Sequence, residues 1–369
     1  MRVAFDIGPL GPSPAGVGVY AASLARALGS LAGDVDVSMI GLRPDADLDA
    51  GAVSVMRRPG GPYLVWLQRQ AMRDVAAAGA ALAHFSDGVV PFRRSLPAVL
   101  TVHDLSVLTM PRSHPMRRWS RAPLVALSPR LANRVIVPST ATADEVMRVC
   151  GVSARRIRVS PYAPRQDVAP TWSEVEAVTR RLGLAPDGYV LALGTVEPRK
   201  NHVRLIQAFG LAIQTGRLPR DLRLVIAGRL GWRHGSVSRA IESSPVRHRI
   251  ESLGFVADSD IPCLLSGARM SCYISLYEGF GLPVVESLAC GTPTVTSNRS
   301  SMPEVAGEAG FLVDPLDPLS IANGMAAAYE AGNDRPSIAQ ASRAQAAKFS
   351  WSRAARETVD VYRDVFERG

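Results

Sequence analysis

Two glutamates flank a glycine-rich turn in the stretch SLYEGFGLPVVESLACGTPTV, residues 275–295. Glu278 precedes the glycines, and Glu286 follows Pro283, a residue type that favours the first turn of a helix. Gly291 predicts the end of that helix, so Glu286 is expected in its first turn. Glycines let backbone N–H groups approach a ligand, a helix N-terminus attracts phosphate, and carboxylates accept hydrogen bonds from hydroxyls. The pattern favours a ligand with phosphates and hydroxyls, such as a nucleotide sugar; the alternative is an ordinary turn with a carboxylate at a helix start.

A second cluster places two cations side by side in ALGTVEPRKNHVRLIQAF, residues 192–209. A strand is predicted to end at Gly194, and a helix is predicted to begin near Asn201. Arg199 and Lys200 fall in the loop between them, where adjacent basic groups at a helix N-terminus can neutralise a diphosphate. The alternative is a pair of solvated surface charges.

Two glycines, Gly16 and Gly18, are expected between the first strand and the first helix. They resemble a dinucleotide-binding loop, but the G-x-G-x-x-G spacing is absent because Ala21 stands at the place of the third glycine. This departure disfavours a NAD-dependent dehydrogenase.

A histidine and an aspartate are adjacent in TVHDLSVLTMPRSHP, residues 101–115. His103 and Asp104 are predicted to end a strand, where an active-site side chain is commonly placed. Such a pair can do acid–base work or hydrogen-bond a hydroxyl. The alternative is a structural histidine.

Asp-x-Asp pairs, which can hold a divalent metal on a diphosphate, occur twice. Asp45 and Asp47 lie in a polar stretch, and Asp258 and Asp260 precede IPCLLSGA, where they resemble a helix cap. We therefore expect no metal site at either pair.

The elements that must position these residues alternate between short apolar runs and amphipathic segments. This alternation predicts an α/β protein with parallel sheets covered on both faces, whose ligand sites lie at the carboxyl ends of strands. The predicted strands are 2–7, 98–104, 134–139, 156–161, 189–194, 222–228, 250–256, 269–275 and 292–298.

The alternation runs through the chain twice and predicts two doubly wound, Rossmann-like domains with an interdomain cleft. We place the first at residues 1–165 and the second at 166–349. The stretch 161–178, rich in proline and polar residues, is predicted to be a linker. The amphipathic helix at 350–369 can pack on either domain, including back on the first.

Composition excludes several classes of protein. The 369 residues contain no run of 18 apolar residues and no signal-peptide pattern, so we expect a cytoplasmic protein. Four scattered cysteines predict reduced, mostly buried thiols. The net charge of +9 suits acidic small molecules or an anionic membrane, and no basic run interleaved with aromatic residues suggests nucleic acid.

Two stretches combine arginine with tryptophan and aliphatic residues, namely 57–74 and 114–127. Such surfaces can rest on anionic lipid, where a lipid-linked substrate is found. The alternative is an ordinary basic surface helix. We therefore expect either a fully cytoplasmic protein or one that is peripheral on the inner face of the membrane.

In this order the segments resemble the family 4 retaining glycosyltransferases, which have the GT-B fold. The resemblance covers nearly the whole chain and is strongest in GTVEPRKN and in YEGFGLPVVESLACGTPTVTSNRSSMPEVAGEAGFLVDP, residues 277–315. The second block contains the family's pair of glutamates, Glu278 and Glu286. The stretch 101–115 looks like the subgroup of bacterial mannosyl- and rhamnosyltransferases of surface polysaccharides.

The resemblance implies a role for each matching residue. The catalytic residues would be His103, near the reacting carbon of the transferred sugar, together with Glu278 and Lys200. Glu286 would accept hydrogen bonds from the ribose, and the nucleobase would lie near Arg229 and the loop of Phe255 and Val256. The whole donor-binding set would be Gly16, Gly18, Thr195, Arg199, Lys200, Gly228, Arg229, Val256, Glu278, Gly279, Phe280, Gly281, Leu282 and Glu286. Many family members carry arginine where this chain has Thr195, which shifts the expected diphosphate contacts towards Arg199 and Lys200.

The implied activity is the transfer of a hexose, mannose being the first expectation, from GDP-mannose or another nucleotide-diphosphate sugar. The acceptor would be a glycan or a lipid-linked glycan in surface polysaccharide or glycoconjugate synthesis. Arg199, Lys200 and a helix N-terminus would stabilise the charge that develops on the diphosphate, so neither a metal nor a cofactor is expected. Two alternatives remain: a nucleotide-sugar epimerase or hydrolase on the same fold, and an inactive nucleotide-sugar-binding partner subunit.

Overall fold

The computed structural model describes residues 1–7, 16–31, 36–42, 54–57, 62–165 and 169–368. The chain forms two compact units. The first comprises Met1–Pro111, Met116–Tyr162 and Ser350–Gly369, and the second comprises Arg112–Pro115 and Ala163–Phe349. The Asp45–Asp47 pair lies outside the described residues.

The described part of the first unit contains a parallel seven-stranded sheet with the order β3-β2-β1-β4-β5-β6-β7. Its strands are β1 Arg2–Asp6, β2 Asp36–Leu42, β3 Ser54–Arg57, β4 Leu82–Phe85, β5 Ala98–Thr101, β6 Arg134–Val137 and β7 Ile157–Val159. Its helices are α1 Val17–Gly29, α2 Tyr63–Arg69, α3 Ala71–Ala77, α4 Ser106–Thr109, α5 Met116–Trp119, α6 Ala122–Leu131, α7 Thr140–Cys150 and, at the end of the chain, α16 Trp351–Arg368. Strands β4 and β5 are buried throughout, as expected for a parallel sheet covered on both faces.

The described part of the second unit contains a parallel six-stranded sheet with the order β10-β9-β8-β11-β12-β13. Its strands are β8 Tyr189–Leu193, β9 Arg223–Ala227, β10 Ile250–Gly254, β11 Met270–Tyr273, β12 Thr294–Ser297 and β13 Gly310–Val313. Its helices are α8 Trp172–Arg181, α9 His202–Gln214, α10 Gly235–Glu242, α11 Ile261–Gly267, α12 Leu282–Ala289, α13 Met302–Ala306, α14 Pro318–Ala331 and α15 Arg335–Ala346. The order changes direction at β8 and β11, so loops after these strands meet where α/β proteins bind ligands.

All nine predicted strands correspond to observed strands, which end one to three residues earlier than predicted. Strands β2, β3, β4 and β13 were not predicted. The most instructive of these is β4, because its sequence LAHF contains a histidine that is completely buried. Both ring nitrogens of His84 have partners, the Tyr362 hydroxyl at 2.7 Å and the Thr101 hydroxyl at 2.7 Å, so the imidazole is accommodated inside the sheet.

The predicted linker at 161–178 is wrong in its second half, because α8 begins at Trp172. The helix starts there because Thr171 and Glu174 form a capping box: each side chain bonds the backbone N–H of the other residue. The polar composition that suggested a linker is therefore the signature of a helix start.

Helix α16 belongs to the first unit and packs on α1. A buried chain of hydrogen bonds runs from Tyr362 of this helix through His84 to Thr101, and on to the hydroxyl of Tyr20 in α1 at 2.8 Å. Arg134 of β6 adds an ion pair to Asp364 at 2.6 Å. The buried face of α16 is thus part of the core of the first unit.

Removing the Tyr362 hydroxyl tests this chain of hydrogen bonds. Tyr362→Phe leaves a buried nitrogen of His84 without its partner, so we expect the free energy of unfolding to fall by about 1–3 kcal/mol. Burial also lowers the pKa of His84 from 6.5 to about 3, so the unfolded state binds this proton first and wild-type stability falls as the pH drops below 6.5. The measurement is urea unfolding between pH 5 and pH 8.

Tyr329→Phe is the matched control, because the Tyr329 hydroxyl makes no hydrogen bond among the described residues. We expect it to change the free energy of unfolding by less than about 0.5 kcal/mol. An equally small effect of Tyr362→Phe would contradict the role assigned to the chain.

Candidate functional site

The loops that follow β8, β9 and β11 carry most of the predicted donor-binding residues. Glycine is required where these loops begin: Gly228 has φ of 152°, and a Cβ atom there would lie 2.0 Å from the carbonyl oxygen of Gly194. At Gly281, with φ of 107°, a Cβ atom would lie 2.4 Å from the Met302 side chain. The backbone therefore passes through spaces in which any larger residue would clash.

The two predicted cations lie in a short 3₁₀ turn, Pro198–Lys200, immediately before α9. Asn201 adopts the left-handed conformation with φ of 62°, which separates the turn from the helix. The carbonyl of Arg199 accepts a hydrogen bond from the backbone N–H of Leu276 at 2.8 Å, and the Ser275 hydroxyl lies 3.0 Å from the same oxygen. These contacts tie the turn to the loop that carries Glu278.

Glu278 is the centre of the cluster. Its Oε1 accepts hydrogen bonds from the Lys200 ammonium at 2.6 Å, the Ser275 hydroxyl at 2.6 Å and the Tyr273 hydroxyl at 2.9 Å. Its Oε2 lies 2.7 Å from Nη1 of Arg199. Lys200 also donates to the Tyr273 hydroxyl. We call Glu278, Arg199, Lys200, Tyr273 and Ser275 the cation cluster.

Burial makes the charges of this cluster interdependent. The Lys200 and Arg199 side chains are 12% exposed and that of Glu278 is 10% exposed. Burial opposes ionisation of Glu278, but the two cations and the hydrogen bonds more than offset it and lower its pKa to about 2. Burial, aided by the neighbouring Arg199, lowers the pKa of Lys200, and Glu278 partly restores it. Lys200 and Arg199 thus both form ion pairs with Glu278. Arg199 forms a second ion pair with Glu197 at 3.0 Å.

The glycine-rich loop after Glu278 is held by hydrogen bonds to Ser300 and Ser301. The backbone N–H of Glu278 donates to Ser300 at 3.0 Å, and the Ser301 hydroxyl donates to the carbonyls of Glu278 and Phe280 at 3.0 and 2.8 Å. Phe280 is buried and packs edge-to-face on Phe349. Its side chain is therefore part of the core, and only its backbone is placed to contribute to ligand binding.

Glu286 lies one turn further into its helix than predicted. Helix α12 begins at Leu282, with Gly281 as its N-cap and Pro283 as its second residue, so Glu286 falls in the second turn. The prediction of the first turn was wrong because the helix already begins at Leu282, before the proline that was taken to mark its first turn. Glu286 is buried and binds Arg165, whose Nε lies 2.6 Å from its Oε1.

Arg165 was not predicted from the sequence. Its Nη1 also contacts Asp258 at 2.7 Å, so it bridges two carboxylates at the edge of a cavity whose apolar wall includes Ile261 and Leu265. Burial raises the pKa of Glu286, and Arg165 offsets this only in part. Arg165 is 121 positions from Glu286 along the chain, and no local pattern indicates the pairing.

The residues predicted near the nucleobase lie at the ends of β9 and β10. The Arg229 guanidinium stands over the Phe255 ring, 4.5 Å from its centroid, and Phe255 is 57% exposed. Val256 is half-buried and packs on the core of the second unit. Thr195 is half-buried, and Val196 beside it forms an isolated parallel bridge to Leu230.

Asp258 and Asp260 are both engaged by arginines, Asp258 by Arg165 and Asp260 by Arg181 at 2.7 Å. Asp260 occupies the N-cap position of α11, as predicted, but its side chain makes no capping hydrogen bond. Within the described ranges, no group of three or more histidine, cysteine, aspartate or glutamate side chains is arranged to hold a metal ion.

In the first unit, His103 lies two residues beyond the end of β5. Its Nε2 is 2.5 Å from the carbonyl of Ser86, so this nitrogen carries the proton, and the neutral ring accepts at Nδ1 from the Tyr162 hydroxyl at 2.5 Å. Burial lowers the pKa of His103, which favours this neutral form. Asp104 does not orient the ring but accepts hydrogen bonds from Ser106. Acid–base work by His103 would first require one of its two bonds to break.

The two glycines of the first unit differ in position. Gly16 is the exposed N-cap of α1, and its carbonyl accepts from the backbone N–H of Tyr20 at 3.0 Å. Gly18 is buried as the second residue of the helix, so its predicted place in the preceding loop is wrong. The helix begins earlier than the glycine spacing suggested because Val17 already has helical geometry.

Comparison with known proteins decides the family. Two family models match the chain, "Glycosyltransferase Family 4" over residues 14–162 and "Glycosyl transferases group 1" over residues 179–345. O-antigen chain mannosyltransferase B of Escherichia coli is 35% identical over 273 residues, which cover 72% of this chain and 70% of the relative. The chain is a family 4 glycosyltransferase.

Solved structures agree with this assignment at the level of the fold. Sucrose-phosphate synthase from Thermosynechococcus elongatus is 19% identical to the glycosyltransferase and aligns over the full length of both chains with a TM-score of 0.79. The Anabaena protein HepE, solved in complex with UDP and glucose, is 20% identical over 99% of this chain and 100% of its own, with a TM-score of 0.76. The predicted GT-B fold is confirmed.

The surface stretches of the glycosyltransferase that were predicted to meet lipid are partly described. Helix α2 exposes Val65, and the segment of α5 and α6 exposes Met116 to 75% and Trp119 to 42%. Arg121 of this segment is paired with Asp87 at 2.7 Å. Residues 58–61 lie outside the described part. No described helix combines the length and the apolar character needed to cross a bilayer.

Replacing Glu278 tests the electrostatics of the cation cluster. Glu278→Gln leaves the buried Lys200 without its carboxylate partner and leaves Arg199 with Glu197 alone, so we expect the free energy of unfolding at pH 7 to fall by about 3–5 kcal/mol. Since the folded-state pKa is depressed to about 2, the contribution of this carboxylate is present above pH 4.5 and is lost as the pH falls towards 2. The gap between variant and wild type should therefore narrow in urea unfolding series below pH 4.5.

Glu330→Gln is the matched control, because Glu330 is exposed on α14. We expect it to change the free energy of unfolding by less than about 0.5 kcal/mol. A Glu278→Gln protein as stable as this control would show that the two cations do not depend on the carboxylate.

Proposed function

We propose that this glycosyltransferase moves mannose from GDP-mannose to a glycan or lipid-linked glycan acceptor in surface polysaccharide synthesis, with retention and without a metal. The observation that carries the proposal is the cation cluster, which concentrates two buried positive charges at the carboxyl edge of the second sheet. Mannose is supported by the 35% identity to the Escherichia coli mannosyltransferase.

The cluster is suited to a leaving diphosphate. As the bond between the sugar carbon and the phosphate oxygen breaks, negative charge grows on the diphosphate. Fixed cations in a water-poor site stabilise such charge strongly, because they need no reorganisation during the reaction. Arg199 and Lys200 are held by Glu278 within one short turn and supply this stabilisation, which is the role that a divalent metal plays in other transferases.

The nucleoside would occupy the cavity beside Glu286. A buried carboxylate that already binds Arg165 through one strong contact has further lone pairs for ribose hydroxyls. The apolar wall of the cavity suits the face of a sugar or base, and the exposed Phe255 ring with Arg229 above it suits stacking of the nucleobase. Backbone N–H groups from Gly279 to Leu282 would complete the donor contacts.

Retention without a covalent intermediate is supported by the state of Glu278. A carboxylate whose pKa is near 2 and which accepts four hydrogen bonds or ion pairs is a weak nucleophile. In the proposed step the acceptor hydroxyl attacks from the face of the leaving group. The new bond joins the acceptor oxygen to the sugar carbon, and the hydroxyl proton goes to the departing phosphate oxygen. His103 stays a predicted contact of the transferred sugar.

The donor class is tested by thermal stabilisation with GDP-, UDP-, dTDP- and ADP-sugars in EDTA, because a ligand that binds only the folded state must stabilise it. We expect stabilisation by GDP-mannose, about 2.7 kcal/mol at a hundredfold excess over Kd. Lys200→Met should abolish most of the shift. Lys348→Met is the matched control, since Lys348 is exposed and is the only other lysine in the chain.

Three results would contradict the proposal. Stabilisation by UDP-sugars alone would overturn the guanosine donor. Stabilisation that appears only on adding Mg²⁺ would overturn metal independence. A shift that survives Lys200→Met would remove the diphosphate role of the cation cluster.

The acceptor side of the proposal includes contact with an anionic membrane through the exposed Met116 and Trp119 and the arginines between them. Each arginine near such a surface contributes about 1 kcal/mol. The double variant Arg117→Gln and Arg118→Gln should therefore bind vesicles containing phosphatidylglycerol about 10–30 times more weakly in sedimentation. The control with the same charge change is Arg217→Gln with Arg220→Gln, on the exposed surface of the second unit. Equal binding by both double variants would overturn this contact.

A further inference from the structure

The chain uses lysine at only two places. Of its 42 basic residues all but Lys200 and Lys348 are arginines. Arginine and lysine differ in geometry: a guanidinium is a planar fork of five donors, and an ammonium is a compact charge with three donors in a tetrahedral arrangement. The buried site next to Glu278 therefore has a lysine in a chain that otherwise almost always uses arginine.

The partners of Lys200 account for two of its three N–H donors. One points to Oε1 of Glu278 at 2.6 Å, and another to the hydroxyl of Tyr273. The third has no partner among the described residues. Because the ammonium is tetrahedral, fixing two N–H directions fixes the third.

Tyr273 is itself held firmly. It ends β11, its hydroxyl donates to Glu278 at 2.9 Å while it accepts from Lys200, and its carbonyl accepts from the Thr296 hydroxyl at 2.9 Å. Its ring lies 3.6 Å from where a Cβ atom of Gly194 would be, which is an ordinary van der Waals distance. Burial raises the pKa of the phenol well above its usual value, so the hydroxyl keeps its proton.

We propose that Tyr273 is a positioning residue that, together with Glu278, aims the third N–H of Lys200 at a diphosphate oxygen of the donor. The inference rests on the proposed function, because the diphosphate of the nucleotide sugar is the ligand that the third N–H group of Lys200 would bind. The phenol does not touch the nucleotide sugar. It contacts both Lys200 and Glu278, which contact each other, and so fixes the direction of the third N–H group of Lys200. A planar guanidinium would present its N–H groups in one plane and would not reproduce the tetrahedral arrangement of the ammonium.

The Lys200 ammonium can be observed directly, because the protein labelled with 13C- and 15N-lysine gives only two side-chain signals. Lys348→Arg identifies the signal of Lys200. The groups that act on Lys200 are Glu278, Arg199, Glu197, Tyr273 and the neighbouring His202. Tyr273→Phe removes the hydroxyl that contacts both Lys200 and Glu278 and keeps the buried ring.

We expect Tyr273→Phe to move the titration midpoint of Lys200 to lower pH, because the charged ammonium loses an acceptor while its burial is unchanged. The Kd of GDP, measured by calorimetry in EDTA, should weaken about tenfold, and the weakening should grow as the pH is raised from 6.5 to 8.5, because the variant loses the ammonium proton at a lower pH than wild type does. Lys200→Arg keeps the charge and should still weaken GDP at least tenfold. Lys348→Arg should leave the Kd unchanged.

The matched control is Tyr189→Phe, a buried tyrosine at the start of β8 whose hydroxyl donates to the Leu264 carbonyl at 2.6 Å. It should lower the melting temperature without moving the Lys200 midpoint or the pH dependence of GDP binding. If Tyr273→Phe behaves like this control while Lys200→Met abolishes GDP binding, the positioning role is overturned and the diphosphate role stands. If Lys200→Met binds GDP as wild type does, the proposed function of the cluster fails and the inference fails with it.

Discussion

Burying two adjacent cations requires a carboxylate close to both, and this requirement determines which loops of the second unit lie against each other. Arg199 and Lys200 are consecutive and nearly enclosed, so their mutual repulsion and their loss of water would oppose folding without Glu278. The loop that carries Glu278 must therefore lie against the turn that carries the cations. The contacts of Leu276 and Ser275 with the carbonyl of Arg199 hold the loop there.

The same local features then place the remaining donor-binding groups. Asn201 in the left-handed conformation ends the cation turn and lets α9 begin behind it. Gly281 turns the chain into α12, which carries Glu286 on its buried face. In the first unit a comparable constraint comes from His84, whose buried ring nitrogens need hydrogen bonds from Tyr362 and Thr101. Helix α16 is therefore needed to supply one partner to a histidine inside the first sheet.

The sequence predicts the parts of this account that depend on local pattern. The glycine-rich turn with Glu278, the adjacent Arg199 and Lys200, and the alternation of strands and helices are each visible within about 20 residues. The sequence does not predict Arg165 or the contact of Tyr273 with Lys200, because Arg165 is 121 positions from Glu286 and Tyr273 is 73 positions from Lys200, and an arginine or a tyrosine alone carries no signal. Strand β4 was missed for a related reason: a histidine inside an apolar run is acceptable only when distant residues supply its hydrogen bonds. Glu286 was predicted in the first turn because Pro283 favours the first turn of a helix, but the helix begins one residue before the proline.

In the proposed function, the cation cluster binds the diphosphate of the donor without a metal. The most direct measurement is a crystal structure of the glycosyltransferase grown with GDP in the presence of EDTA. We expect a diphosphate oxygen within hydrogen-bond distance of Nζ of Lys200, with Glu278 still bound to Lys200 and Arg199 and with no cation density beside the phosphates. A diphosphate bound away from Lys200 would contradict this proposal.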